Sequence, residues 1–380
     1  PVVKVKQEKK DVPKTLLEIA NEVVVTERAR IFRAPLRGSS GRALHVGLPN
    51  GMNYTFDPRT LSVRNVWAGG FLNLSKERSG RGQPGSVRGQ GHAVFLQGSG
   101  ILQPLQPSGE PVDFEIKEPD VGDHKAIEKW LWEDRDFPEL QASVDAEFLG
   151  FSLITTVPRS IPEGEPTFEF RVGKNRISQA VTLGDDGRIT IAISGTFKEP
   201  QKFKVAAGGL SEIKVERGTL ADGVWTLDID DKSHADLGHV FSARLAGGLV
   251  ARLPAGGEES WARQKLVTNT DKIGREHMEV PDGDRSENWE SPKDLYGRTQ
   301  LFEPTGMAVA KDGTIVVATR TAGIWRIREG SWSMFAEGTY ECLGVWIEDD
   351  KGDQIVVMQK PEMTRLTDSD GDGRADKFET

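Results

Sequence analysis

Glu303-Pro-Thr-Gly306 returns as Glu341-Cys-Leu-Gly344, Ile315-Val-Val317 as Ile355-Val-Val357, and Arg326-Ile327 as Arg365-Leu366. The offsets are 38, 40 and 39 residues, and the matched pieces keep their order. Each copy runs from an apolar strand through a Lys/Asp/Gly turn to a Val-rich strand. A third strand follows, ending in Arg plus an aliphatic residue. A period of about 40 residues made of short strands is that of a β-propeller blade. Closure takes about four to eight blades, so two imply a chain that stops partway through a propeller. The expected fold is all-β: a β-sandwich-like (super-sandwich) domain followed by the first two blades of an incomplete propeller.

Working outward, residues 1–30 read as a lead-in helix or linker, with Leu16, Leu17, Ile19, Ala20 and Val23 near helical spacing. Residues 31–270 read as an accessory β-sandwich-like domain. Ala43–Leu48 and Met52–Phe56 flank Asn50-Gly51 as a hairpin, and Leu61–Trp67 follows. Residues 79–100 are Gly-rich and read as a loop, and Ala126–Trp132 as a short helix. Strands are expected again from Phe148 to Leu245, separated by turns such as Asp185-Asp-Gly187 and Ala221-Asp-Gly223. The polar stretch 271–300 reads as a linker, leaving 301–380 for the two blades.

A chain of 380 residues is long enough for two or three domains and for a core without staples. The formal charge of −9 argues against nucleic-acid or anionic-membrane partners. No apolar run is long enough to cross a bilayer as a helix. One cysteine, Cys342, rules out an intrachain disulfide and any CxxCH haem attachment on these residues. The chain begins at Pro1, without methionine or visible signal peptide, and reads as processed or cut from a longer frame.

The sharpest chemical signal is Asp368-Ser-Asp-Gly-Asp-Gly-Arg-Ala-Asp-Lys-Phe-Glu379, which fits a twelve-position calcium loop. Asp368, Asp370 and Asp372 would supply carboxylate oxygens and Arg374 its carbonyl. Asp376 would act through a water and Glu379 with both oxygens, while Gly373 permits the sharp turn. Crowded carboxylates repel, and a divalent cation offsets that repulsion. A strand precedes the loop, so a structural site linking blades is expected, not a helix–loop–helix sensor. The bland alternative is a solvated acidic turn.

Other signals are weaker. Gly80-Arg-Gly-Gln-Pro-Gly85 spells GxGxxG without the strand and helix that a dinucleotide site needs. Asp228, Asp230, Asp231, His234, Asp236 and His239 crowd twelve positions and read chiefly as a polar loop. Trp67, Trp225, Trp325, Trp332 and Trp346 are expected in packing, while Trp130 and Trp132, if exposed, would stack on a sugar. Asn53-Tyr-Thr55 and Asn73-Leu-Ser75 spell glycosylation sequons.

Glu303–Gly313, Gly323–Ile327 and Leu366–Asp376 resemble the propeller start of glucose/sorbosone dehydrogenase-like proteins, in their haem-c-containing "membrane-bound dehydrogenase" variety from planctomycetes and verrucomicrobia. Ala43–Asp57, Val66–Leu72 and Phe168–Gly173 resemble the accessory β-domain that precedes that propeller. The resemblance covers roughly residue 30 to the end. It implies a periplasmic or cell-surface protein whose propeller oxidises a sugar or polyol and passes electrons to a c-type haem. That haem, and the cytochrome domain carrying it, would lie outside this segment. A quinone is compatible with the same resemblance. Catalytic residues would fall in later blades, so none is assigned here. The alternative, from another class, is a noncatalytic protein whose β-domain and propeller grip polysaccharide or a protein partner. A glycoside-active enzyme would need two carboxylates across one cleft.

Overall fold

The computed structural model describes residues 22–25, 28–34, 36, 39–76, 86–87, 93–95, 100–114, 145–153, 164–229, 238–246, 249, 271–272, 302–360 and 362–380. The expected lead-in helix, the 126–132 helix, Trp130, Trp132, the GxGxxG stretch and most of the 271–300 linker lie outside them. Among the described residues nearly all regular structure is strand, and the chain is all-β.

Three larger antiparallel sheets make the upstream region, beside a small one of Glu22–Val23, Leu72–Asn73 and Ser86–Val87. Arg30–Arg33, Leu44–Gly47, Met52–Asp57, Ser62–Ala68 and Ala93–Phe95 form a five-stranded meander. Gly51, with φ 79°, closes the expected hairpin. Leu102–Leu105, Lys202–Val205, Val224–Leu227 and Gly218–Ala221 form a four-stranded sheet. The third sheet begins with Ala146–Leu153, Pro166–Val172, Asn175–Leu183, Arg188–Thr196, His239–Leu245 and Leu210–Glu216. Its strands alternate as a half-buried sheet must: in Asn175–Leu183 every second side chain, Ile177 to Leu183, points into the core. The meander packs on this sheet through Phe56, whose ring stacks on Phe168 at 3.9 Å. Trp225 of the four-stranded sheet lies against Phe241, 6.2 Å between rings.

The C-terminal repeat forms two four-stranded meanders. The first unit is Pro304–Val309, Ile315–Thr319, Ile324–Arg328 and Ser331–Ala336, with Asp271–Lys272 added at its outer edge. The second is Gly344–Ile347, Gln354–Met358, Met363–Thr367 and Lys377–Glu379. A four-stranded meander is the blade architecture. The outer strand of the second unit pairs with Ala146–Leu153, with Phe151 opposite Phe378, so the third sheet runs on through this unit to ten strands. That junction is apolar: the Phe151 and Phe378 rings stack at 4.4 Å.

Charged pairs fasten the units to the meander as well. Arg30 meets Glu337 at 2.8 Å, and Glu362 receives both Arg33 and Arg42. The Arg33 amide donates to the Gly338 carbonyl at 3.0 Å. Arg30 and Arg33 are almost wholly buried, so each depends on its carboxylate partner.

Candidate metal centre

The repeat explains how the two units meet. Their first strands lie side by side at the two repeat glycines: a Cβ on Gly306 would come within 3.1 Å of the Gly344 Cα. The repeat glutamates converge on one cation, with Arg320 2.8 Å from Glu303 and 3.8 Å from Glu341. Val316, Ala318 and Ile324 of the first unit share one core with Ile355, Val357 and Leu366 of the second.

Arg326 crosses this seam. Its side chain is 1% exposed and bonds Asp353 at 2.5 Å, the Gly352 carbonyl at 3.2 Å and the Gly373 carbonyl. Its guanidinium lies 4.3 Å from the centroid of the Phe335 ring. Burial lowers the Arg326 pKa, and the nearby Arg328 charge lowers it further, while Asp353 opposes both.

The acidic loop sits on the far side of Arg326. It joins the third and fourth strands of the second unit, after Met363–Thr367 and before Lys377–Glu379. Carboxylate oxygens of Asp368, Asp370 and Asp372 all lie within 4.8 Å of one another. The turn is built by its own side chains. Asp368 accepts the amides of Gly371 at 2.8 Å and Gly373 at 2.9 Å, Asp370 that of Asp372 at 3.2 Å, and Asp372 that of Arg374 at 2.8 Å. Gly373 has φ 95°, the left-handed backbone expected of it. Burial raises the Asp368 pKa and the Asp372 charge adds to it; the Gly371 and Gly373 amides and Arg326 pull the other way.

The remaining predicted ligands are elsewhere. Asp376 closes the loop by accepting the Ser369 amide at 2.8 Å and its hydroxyl. Glu379 lies in the outer strand, 3.1 Å from Lys377, lining a shallow groove with Glu169, Arg176 and Arg365. The structure thus brings together three of the five predicted carboxylates, with Arg374 on the same turn. The donor set is hard oxygen, which suits calcium.

Among the described residues, four side chains suited to acid–base or nucleophilic work are buried. His45 is wholly buried between Thr55 and the Ala34 carbonyl, and burial drops its pKa to about 4. Cys342 is buried and pushed up to about 11. Glu165 is 2% exposed with no hydrogen-bond partner for either oxygen, and burial pushes it up to about 7. His239 is buried, with a ring nitrogen bonded to the Asp228 carbonyl; Asp230, Asp231, His234 and Asp236 lie outside the described residues. Asn53 and Asn73 of the two sequons are both buried.

Trp67, Trp225, Trp325 and Trp332 are core residues, as their strand positions imply. Trp346 is not: it is 68% exposed. It stands on the outward face of the second unit's first strand, and the expectation that it packs is corrected. Sequence reading also missed the fourth strand of the first unit. Its signal is Glu329-Gly330, both at positive φ, a tight turn before the alternating Ser331-Trp-Ser-Met334.

No known family profile matches the chain, and no curated protein does. Among solved structures it is similar to the β-propeller domain of Cps50 (Swd1) from Myceliophteria thermophila. The identity there is 10%, over 91% of this chain and 99% of that one, with a TM-score of 0.16. It is also similar to an extracellular domain ascribed to a one-component system of B. thetaiotaomicron. That match has 8% identity over 91% of this chain and 46% of that one, with a TM-score of 0.16.

Proposed function

We propose that the described part of this chain is a calcium-stapled β-scaffold that binds and positions, and does not itself carry out a reaction. The observation that carries this reading is the Asp368, Asp370 and Asp372 triad on a turn tied by Arg326 to the neighbouring unit. Calcium would be held by those carboxylates with the Arg374 carbonyl. It would supply positive charge where three anions crowd, and so hold the loop against the seam. His45, Glu165, His239 and Cys342, by contrast, are buried. The test is urea unfolding with excess calcium and with chelator. Calcium should raise the midpoint in the parent chain, and Asp370→Asn with Asp372→Asn should abolish the rise. An equal midpoint in both conditions would defeat the proposal.

A second reading is favoured by one observation: two of the stretches carrying the dehydrogenase resemblance, Gly323–Ile327 and Leu366–Asp376, meet at this seam, through Arg326 with the Gly373 carbonyl. On that reading the chain is the scaffold segment of an exported sugar or polyol dehydrogenase-like protein. Its reacting groups and c-type haem lie on other residues. This chain cannot attach the haem itself, having a single, buried cysteine. Turnover of an artificial electron acceptor by the haem-loaded full-length protein, across a sugar and polyol panel, would support it. A blank panel would leave the noncatalytic scaffold.

A further inference from the structure

We propose that the outward face of the second unit is a docking surface for a third unit of the same repeat, and that Arg365 is its polar anchor. The two units present the same side chain positions in different surroundings. In the first unit, Gly306, Ala308, Val316, Ala318 and Arg326 form the side that the second unit covers. Val316 and Ala318 are wholly buried and Arg326 nearly so. The repeat places Gly344, Trp346, Val356, Met358 and Arg365 at the same five positions.

Every comparable observation differs between the twins in one direction. Gly306 is pressed against Gly344, whereas a Cβ on Gly344 would meet nothing within 4 Å. Ala318 is 0% exposed, whereas Met358 is 48% exposed. Trp346 is 68% and Met363, beside Arg365, 56% exposed. Arg326 reaches the neighbour's Gly352 and Asp353, whereas Arg365 bends back to Glu348 of its own sheet at 2.6 Å. An apolar face of this kind, on a unit whose other face is packed against its neighbour, marks an interaction surface.

The twins also define the occupant. What covers the first unit is an aliphatic sheet face, Ile355, Val357 and Leu366, with an acidic Lys351-Gly-Asp353 turn over the arginine. The partner of the second unit should offer the same chemistry: aliphatic strands and a turn carboxylate for Arg365. A second copy of the whole chain is the rival occupant. It could present Met307 and Val309, which are exposed on the first unit's opposite side at the twin positions of Val345 and Ile347.

The test uses thiol labelling. Cys342 is buried, so Met358→Cys introduces one accessible thiol. In the parent chain the thiol at position 358 should label fast, on a monomer by sedimentation, while Cys342 stays protected. Residues 341–380 are then appended in tandem after Thr380, supplying a third unit with its own Asp-bearing turn. Labelling at position 358 should slow about tenfold or more, as access comes to require opening of the new interface. Arg365→Met should restore much of the rate. Equal labelling with and without the appended unit would overturn the proposal. So would an appended copy whose own cysteine reacts as in an unfolded chain while Cys342 stays protected. A dimer already slow to label would assign the face to a second chain instead.

Discussion

Replacing Glu165 by Gln should stabilise this protein in alkaline buffer and leave it nearly unchanged in acid. Glu165 is 2% exposed, neither oxygen has a partner, and burial pushes its pKa from 4.5 to about 7. Between those values the folded chain keeps a proton that the unfolded chain has released. Its contribution to stability therefore falls as pH rises from about 4.5 and levels off above about 7. A gap of about two and a half pH units amounts to about 3 kcal/mol at about 1.4 kcal/mol per unit. The parent's own pH profile hides this slope. His45 is lowered from 6.5 to about 4, so in the folded chain it resists a proton that the unfolded chain takes up. Stability from His45 is complete above about 6.5 and lost as pH falls toward 4, which opposes Glu165 across the shared window. The informative quantity is the difference between Glu165→Gln and parent, measured by urea unfolding with tryptophan fluorescence from pH 4.5 to 8. It should grow from about zero to about 3 kcal/mol in favour of the variant, in which the acid loss due to His45 stands unopposed. A pH-independent difference, or a variant weaker than the parent at pH 8, would refute the reasoning.

Arg326→Met should cost about 1–3 kcal/mol by urea unfolding, because it removes the partner of the buried Gly352 carbonyl and of the half-buried Gly373 carbonyl, while Asp353 keeps Arg328 at 2.7 Å. Arg365→Met, at the twin position, should fall within about 0.5 kcal/mol in the same assay, its pair with Glu348 being exposed. Gly306→Ala should destabilise by about 1–3 kcal/mol, as its Cβ meets the neighbouring backbone at 3.1 Å. Gly344→Ala should be close to neutral in the same comparison, since its Cβ would enter open space.

The repeat was legible in the sequence because each unit keeps the same short landmarks: a glycine where first strands approach, a Val-rich strand, an arginine at the end of the third. Those landmarks are local, and strands formed around them: Ile315–Thr319 and Gln354–Met358 at the Val-rich pair, Ile324–Arg328 and Met363–Thr367 at the arginine pair. The fate of the second unit's outer strand was not legible. Lys377-Phe-Glu379 carries one apolar side chain, and its pairing with Ala146–Leu153 joins residues more than 220 positions apart through a sheet edge. No periodicity within either strand encodes that choice. Trp346 was misread for a related reason, since strand alternation shows which residues share a face but not whether the face is covered. Within the acidic loop, spacing identified the Asp368, Asp370 and Asp372 group. It could not show that the Ser369 hydroxyl and amide would claim Asp376.

Calorimetric titration of the chain with calcium tests the central claim most directly. One site should saturate, with Kd on the order of 0.1–1 mM as for extracellular modules, and Asp370→Asn should weaken it by roughly tenfold or more, about 1.4 kcal/mol. Absence of heat at millimolar calcium, or heat unchanged in Asp370→Asn with Asp372→Asn, would contradict the account.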